Sequence, residues 1–270
     1  MIGVLAIIGA ATAALSARWN WWRPCVRGGM PVLMYHKIGD YPSGSELKKL
    51  WVTTADFRKQ LEYLRDHGYT AVDFRDWRDA EKGVKPLPVN PVMITFDDGY
   101  MNNYDLAFPL LKEFGMKGCI FLVYETLEKH NSWHDPKTEP WLKMLTWAQI
   151  QEMQESGLVE FGSHTMRHRN LAELPLDEVK WELTQSKNRL EEKLGRELVG
   201  FAYPYGAGAY KPDVRQAVLD AGYRFDFSVR QGISALPWDR EEEALRRLLV
   251  RGDDTLFDFH LNMTRGKARF

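Results

Sequence analysis

The sequence is poor in most features that would classify it at a glance. Only two of its 270 residues are cysteines, Cys25 and Cys119. They form no CxxC spacing, and Cys119 lies in the apolar run Cys119-Ile120-Phe121-Leu122-Val123, where a buried thiol is the plain reading rather than a ligand or a disulfide. An excess of charge of either sign is missing too: the net charge is −1. No global field draws the chain to nucleic acid, and that partner class is set aside. Beyond the N-terminus there is no low-complexity tract, and no internal repeat. What remains is ordinary globular composition, 44% hydrophobic and 27% charged, which argues against disorder. The length suits one sizeable α/β domain.

The N-terminus lacks charge altogether. Ile2 to Ala17 is apolar or small throughout, and Arg18, Trp19, Trp21, Trp22, Arg23 and Arg27 follow. The run falls slightly short of the roughly 20 residues of a full span. Tryptophan and arginine at its end suit a membrane interface, where amphipathic rings sit at headgroup level. A cleavable signal peptide is the rival, with Ala14-Leu15-Ser16 and Ala17 near its end, but no Lys or Arg precedes the run as such a signal expects. The expected layout is a membrane anchor or signal segment over 1–17, a basic linker over 18–29 and a catalytic domain over 30–270.

Past the linker, strand-like and helix-like segments alternate. Pro31 to Tyr35, Thr70 to Val72, Val89 to Phe96, Lys117 to Val123, Leu158 to Ser163, Leu198 to Tyr203 and Phe225 to Val229 read as strands. Thr53-Thr54-Ala55-Asp56 offers a cap for a helix through Leu64 that Gly68 stops. Further helices are expected around Ala107 to Phe114, Thr146 to Ser156, Pro175 to Leu194 and Pro212 to Ala221, each followed by glycine. Such alternation implies a mostly parallel sheet with helices outside, and about seven units can close into a barrel. Chemistry in such barrels sits at the C-terminal ends of strands.

Three segments meet that condition. Thr95-Phe96-Asp97-Asp98-Gly99-Tyr100 places two carboxylates at a strand end. Ser163-His164-Thr165-Met166-Arg167-His168 supplies two imidazoles four residues apart, which a helical turn would point the same way, toward one cation. Phe201-Ala202-Tyr203-Pro204-Tyr205-Gly206 closes the set. A carboxylate with two imidazoles makes a three-ligand site with open positions, as metal-assisted hydrolysis requires. An aspartate pair divides the labour: one binds the metal, and its neighbour takes a proton from the attacking water. Taken singly, Asp-Asp-Gly reads as a turn and His-x3-His as chance; the three together at successive strand ends do not. An aspartyl-phosphate phosphatase would need a nucleophilic aspartate where Phe96 stands, which excludes it.

These three segments resemble the first three motifs of the polysaccharide deacetylase family, also called the NodB-homology family or carbohydrate esterase family 4, over roughly Pro31 to Asp258. The resemblance implies a distorted (β/α) barrel of about seven strands and one divalent metal, zinc foremost, with cobalt, nickel or iron as alternatives. It implies Asp98, His164 and His168 as ligands and Asp97 as general base. The Tyr205 backbone N–H would help hold the oxyanion, and Tyr205, Pro204 and Tyr100 are the candidate substrate contacts. Two departures stand out. Ala202 occupies the place of an arginine that pairs with the base in many members, and a late Leu-x-His that supplies the acid is missing. Val32-Leu33-Met34-Tyr35-His36 instead resembles the subgroup that deacetylates poly-N-acetylglucosamine. In that subgroup His36 would be the general acid, and Arg247, within Leu245 to Val250, would steady Asp97. The bland alternatives are a core-edge histidine for His36 and a surface charge for Arg247. His260 reads as structural or exposed, and His130 and His134, flanking Trp133, could rim a groove.

The expected activity is removal of an N-acetyl group from an amino sugar of a polysaccharide or envelope glycan. Deacylation or deformylation of a lipid-linked sugar, O-deacetylation, and non-catalytic carbohydrate binding are the alternatives. A membrane-associated location is expected, of the bacterial inner membrane type. Its face is open, because positive-inside counting favours the cytoplasm and the resemblance favours export.

Overall fold

Fully apolar strand sequences mean burial on both faces, and a barrel wrapped in helices is where such strands belong. The computed structural model describes Ser16 and residues 18–269. Seven parallel strands close on one another: β1 (Val32–Tyr35), β2 (Pro91–Phe96), β3 (Gly118–Leu122), β4 (Val159–Ser163), β5 (Gly200–Ala202), β6 (Phe225–Gln231) and β7 (Leu245–Leu249). Each pairs with the next, and β7 returns to β1 through Leu248 opposite Leu33. A short strand, Thr70–Ala71, adds to the outer side of β2.

The helices are α1 (Thr54–Asp66), α2 (Phe74–Glu81), α3 (Phe108–Phe114), α4 (Trp147–Glu155), α5 (Leu176–Leu194), α6 (Pro212–Asp220) and α7 (Leu256–Arg265). Their caps follow from the sequence. Thr53 Oγ1 accepts the Asp56 N–H, and Thr146 with Gln149 and Thr255 with Asp258 form capping boxes, each satisfying donors the first helical turn leaves open. The helix expected from Ala107 begins sooner, as a π turn over Asn103–Ala107. Sequence reading passed over α2, β7 and α7.

Strand alternation sorts the core into two layers. Leu33, Val92, Ile94, Phe161, Phe201 and Leu248 face the helices, while Val32, Met93, Cys119, Phe121, Phe227 and Leu245 fill the barrel. Phe74 of α2 enters the barrel floor. A Cβ on Gly200 would lie 2.5 Å from its ring, and one on Gly162 would lie 2.5 Å from the Phe121 ring. Glycine at these two places therefore lets large rings fill the interior. The same period of two points Met93, Thr95 and Asp97 inward along one line, and Leu245 with Arg247 along another.

Part of the segment 18–29, expected as a linker, lies against α7, and Gly29 pairs with Ala235. Trp19 donates to Asp258 Oδ1 at 2.7 Å and packs edge-on against Phe257, and Val26 N–H donates to Thr264 O at 2.8 Å. The expected membrane segment, 1–17, falls outside the described residues apart from Ser16. Among the described residues no helix is long and apolar enough to cross a membrane.

Candidate active site

The mouth at the C-terminal ends of the strands gathers the three motifs. Asp98 turns off the end of β2 with φ +78, so two successive aspartates reach one cavity instead of opposite faces. His164 follows β4 directly. The helical turn expected to align the two imidazoles is absent, and this is a correction. The segment from His164 to His168 is a bend, with Thr165 at φ +71 and His168 at φ +59. The two left-handed residues fold the chain back, and the second ring arrives beside the first, with centroids 5.0 Å apart.

Asp98 Oδ1 lies 3.4 Å from His164 Nε2 and 3.2 Å from His168 Nε2. The candidate ligand atoms of the three residues all fall within 4.8 Å of one another. His164 Nδ1 is 2.7 Å from Ala202 O. A carbonyl can only accept, so Nδ1 carries the hydrogen and Nε2 turns a lone pair to the cluster. His168 Nδ1 meets the Tyr205 hydroxyl at 3.1 Å. Asp98 Oδ1 is buried and has no hydrogen-bond donor in place. Lone pairs converging on a buried carboxylate oxygen fit a divalent cation, and the nitrogen–nitrogen–oxygen donor set suits zinc. Burial lowers His168, which keeps that ring neutral and able to ligate.

Asp97 faces the same space but is held differently. Arg247 is fully buried, and its guanidinium grips Asp97 in a fork, with Nη1 to Oδ1 at 2.6 Å and Nη2 to Oδ2 at 2.8 Å. Its Nε donates to Ser228 O at 2.9 Å. Arg247 is thus no surface charge; it reaches from β7 to the place that Ala202 leaves without an arginine. Burial pushes the Asp97 carboxyl up, but the Arg247 guanidinium, foremost among its neighbours, outweighs burial and holds Asp97 below its ordinary value. His36 leaves β1 with Nε2 3.9 Å from Asp97 Oδ2, its pKa lowered by burial against the pull of Asp97 and Asp98. His36 Nδ1 is buried without a partner.

Other residues build the walls. Tyr205 sits at φ +58 in a turn whose hydrogen bonds run from Gly206 N–H to Tyr203 O and Ala207 N–H to Pro204 O. Its own N–H is used by neither bond, and its side chain is half exposed. Pro204 and Tyr100 are buried, so neither is an open stacking surface. The loop read as a possible rim of the groove, with Trp133 between His130 and His134, covers the second imidazole. Trp133 stacks on His168 with centroids 4.3 Å apart and planes 28° apart, and its Nε1 donates to His134 Nε2 at 3.1 Å. A buried Lys37–Glu139 pair at 2.7 Å fastens this loop, and Glu139 also accepts from Ser45 Oγ and Leu47 N–H. Nothing in single-sequence spacing links Lys37 to Glu139. His260 lies outside the mouth, with Nδ1 2.9 Å from the Tyr63 hydroxyl.

A parallel barrel whose mouth sets three side chains able to hold a metal beside an arginine-clamped carboxylate defines a hydrolase-type centre. The sequence model for polysaccharide deacetylases matches residues 85–225, about half of the chain. The chain belongs to the polysaccharide deacetylase family. A poly-beta-1,6-N-acetyl-D-glucosamine N-deacetylase of Staphylococcus epidermidis is 28% identical over 222 residues, covering 78% of this chain and 72% of that one. The protein of the same name from Escherichia coli strain K12 is 31% identical over 153 residues, 53% of this chain. The match spans only 21% of that longer relative. The crystal structure of a polysaccharide deacetylase from Bacillus cereus superposes with a TM-score of 0.72 at 26% identity, covering 87% of this chain and 69% of the other.

Proposed function

We propose that this chain is a metal-dependent N-deacetylase acting on N-acetylhexosamine units of a polysaccharide of the poly-β-1,6-N-acetylglucosamine type. The observation that carries the proposal is the pairing of two differently held aspartates: Asp98 among imidazole lone pairs, Asp97 in the Arg247 fork. Relatives named for that polysaccharide support the substrate class.

Asp98, His164 and His168 would hold the metal, which when bound supplies Lewis acidity and can bring the pKa of a water to about 7. Asp97 takes a proton from the attacking water. The Arg247 fork keeps its carboxylate ionised and aimed, which fixes both the charge and the direction of that transfer. Tyr205 N–H is the donor for the oxygen of the acetyl carbonyl as negative charge develops there. His36 Nε2, facing the same space, gives a proton to the departing sugar nitrogen, so that free amine and acetate result. Trp133 closes the side of the mouth beside His168.

The N-terminal run Ile2 to Ala17 supports a membrane tether for the domain, its face undecided, and the support is the sequence itself. The activity is tested by mass spectrometry of β-1,6-linked N-acetylglucosamine oligosaccharides incubated with the full chain. Acetate release that a chelator stops and added zinc restores is the expected result. No release from any N-acetylated glycan with metal present would overturn the reading.

A further inference from the structure

The bend that presents His164 and His168 is secured on both sides by hydrogen bonds. Its carbonyls at Thr165 and Met166 accept from Tyr124 N–H at 3.2 Å and Glu125 N–H at 2.9 Å, main chain to main chain. Its N–H groups turn the other way, into the space under α5. There one side-chain oxygen receives both: Glu182 Oε2 accepts from Met166 N–H at 2.9 Å and Arg167 N–H at 3.1 Å. Within the bend, Thr165 Oγ1 accepts the His168 N–H at 2.9 Å. Glu182 is 2% exposed, on a helix whose other buried residues are chiefly Val179, Leu183, Leu190 and Leu194. A carboxylate in that row is costly unless it is used.

We infer that Glu182 is a positioning residue for the metal centre: its carboxylate fixes the bend between the two histidines and so sets their separation before any cation arrives. The inference rests on the metal reading of the site. Without the carboxylate, the Met166 and Arg167 N–H groups lose their acceptor. The bend holds two residues at positive φ, Thr165 among them, a β-branched type that rarely adopts it, and these would then relax toward ordinary backbone. The two Nε2 lone pairs would no longer meet Asp98 Oδ1 together. Partners that orient ligands in this way typically govern affinity by about 10- to 100-fold.

The test measures zinc affinity of the purified full chain by competition with a chromogenic chelator, with circular dichroism to confirm folding. Glu182→Ala should weaken zinc binding by about 10- to 100-fold. Glu182→Gln, whose amide oxygen can occupy the Oε2 position and accept both N–H groups, should remain near wild type. Amide exchange at Met166 and Arg167 in metal-free protein should accelerate in Glu182→Ala and not in Glu182→Gln. A helix residue with a merely structural role would lower thermal stability without this split. If Glu182→Ala fails to fold, Glu182→Asp, a carboxylate one methylene short of the bend, replaces it with the same expectation. A folded variant of either kind with wild-type zinc affinity overturns the inference. Wild-type protein that binds no zinc overturns the metal reading itself, a separate failure.

Discussion

Replacing Arg247 with methionine removes the fork on Asp97 while filling most of the volume. In the wild type both partners are buried, and the two Nη–O distances of 2.6 and 2.8 Å satisfy the carboxylate on both oxygens. Taking away one partner of such a pair leaves an uncompensated charge and costs about 3–5 kcal/mol. Ser228 O also loses the Nε donor, and an orphaned buried acceptor adds on the order of 1–3 kcal/mol. Against the roughly 5–15 kcal/mol of a typical domain, Arg247→Met should fold but lie close to the edge at neutral pH. The dependence on pH distinguishes the cause. In the wild type Asp97 lies below its ordinary value, so its contribution is present above the unfolded-state pKa, near 4, and is lost only as pH falls through the lower native value. In Arg247→Met burial dominates, and the native pKa should rise above the unfolded one. The deficit is then full at high pH and shrinks as pH falls toward about 4, because protonation removes the stranded charge. Urea unfolding across that range, with chelator present so that no cation supplies counter-charge, reads it directly. Asp97→Asn combined with Arg247→Met should recover part of the loss, giving a coupling on the order of 2 kcal/mol. A deficit that is flat with pH, together with an additive cycle, would refute the account.

Two aspartates with different holders should fail differently. Asp98→Asn should lose bound metal, whereas Asp97→Asn should keep it and lose turnover by about 10²–10⁴-fold; metal content measured beside acetate release checks both, and the opposite pattern exchanges their roles. His36→Ala should slow turnover with metal occupancy unchanged and flatten the alkaline limb of the rate profile, since an acid stops donating as pH rises through its pKa. Wild-type rates in that variant remove His36 from the chemistry. Fractionation of cells expressing the full chain should place it with membranes; recovery in the soluble fraction with Met1 to Ala17 still attached would dismiss the tether.

What could be read in the sequence, and what could not, divides along local and non-local lines. Several barrel strands announce themselves because burial on both faces leaves largely apolar runs such as Pro91 to Phe96, and a motif following such a run is already placed at a mouth. Glycine stops marked the ends of five helices, but local signals did not suffice everywhere: α7 was passed over despite its Thr255–Asp258 capping box and Gly266 stop. Strand β7 was not legible, because Arg246 and Arg247 interrupt Leu245 to Leu249 with the pattern of a surface segment. Only the barrel's closure, with Leu248 opposite Leu33, turns Arg247 inward. Helix α2 was hidden for a related reason: Phe74 and Trp77 plug the barrel floor, a contact made far along the chain. The Lys37–Glu139 pair and the stacking of Trp133 on His168 join residues separated by long stretches of chain, and no local pattern records them.

The histidine motif shows most clearly how residues that the structure brings together could be named for a wrong geometric reason. Four-residue spacing suggested a helix, whose regular rise would align the rings without strain. The bend achieves the alignment at a cost. Among the described residues, five that are not glycine have positive φ, and four of them, Asp98, Thr165, His168 and Tyr205, belong to the three motifs at the mouth. Each such residue costs roughly 1–3 kcal/mol and persists only when its surroundings over-determine it. Those surroundings are specific: Glu182 and Thr165 Oγ1 hold the bend, and the Tyr205 hydroxyl ties its turn to His168. A helix would have pointed His164 and His168 along one line from one element. The bend brings His168 around beneath Trp133 and leaves His164 in line with the strand, bonded to Ala202. The two rings then approach Asp98 from different directions, as ligands around a single cation must.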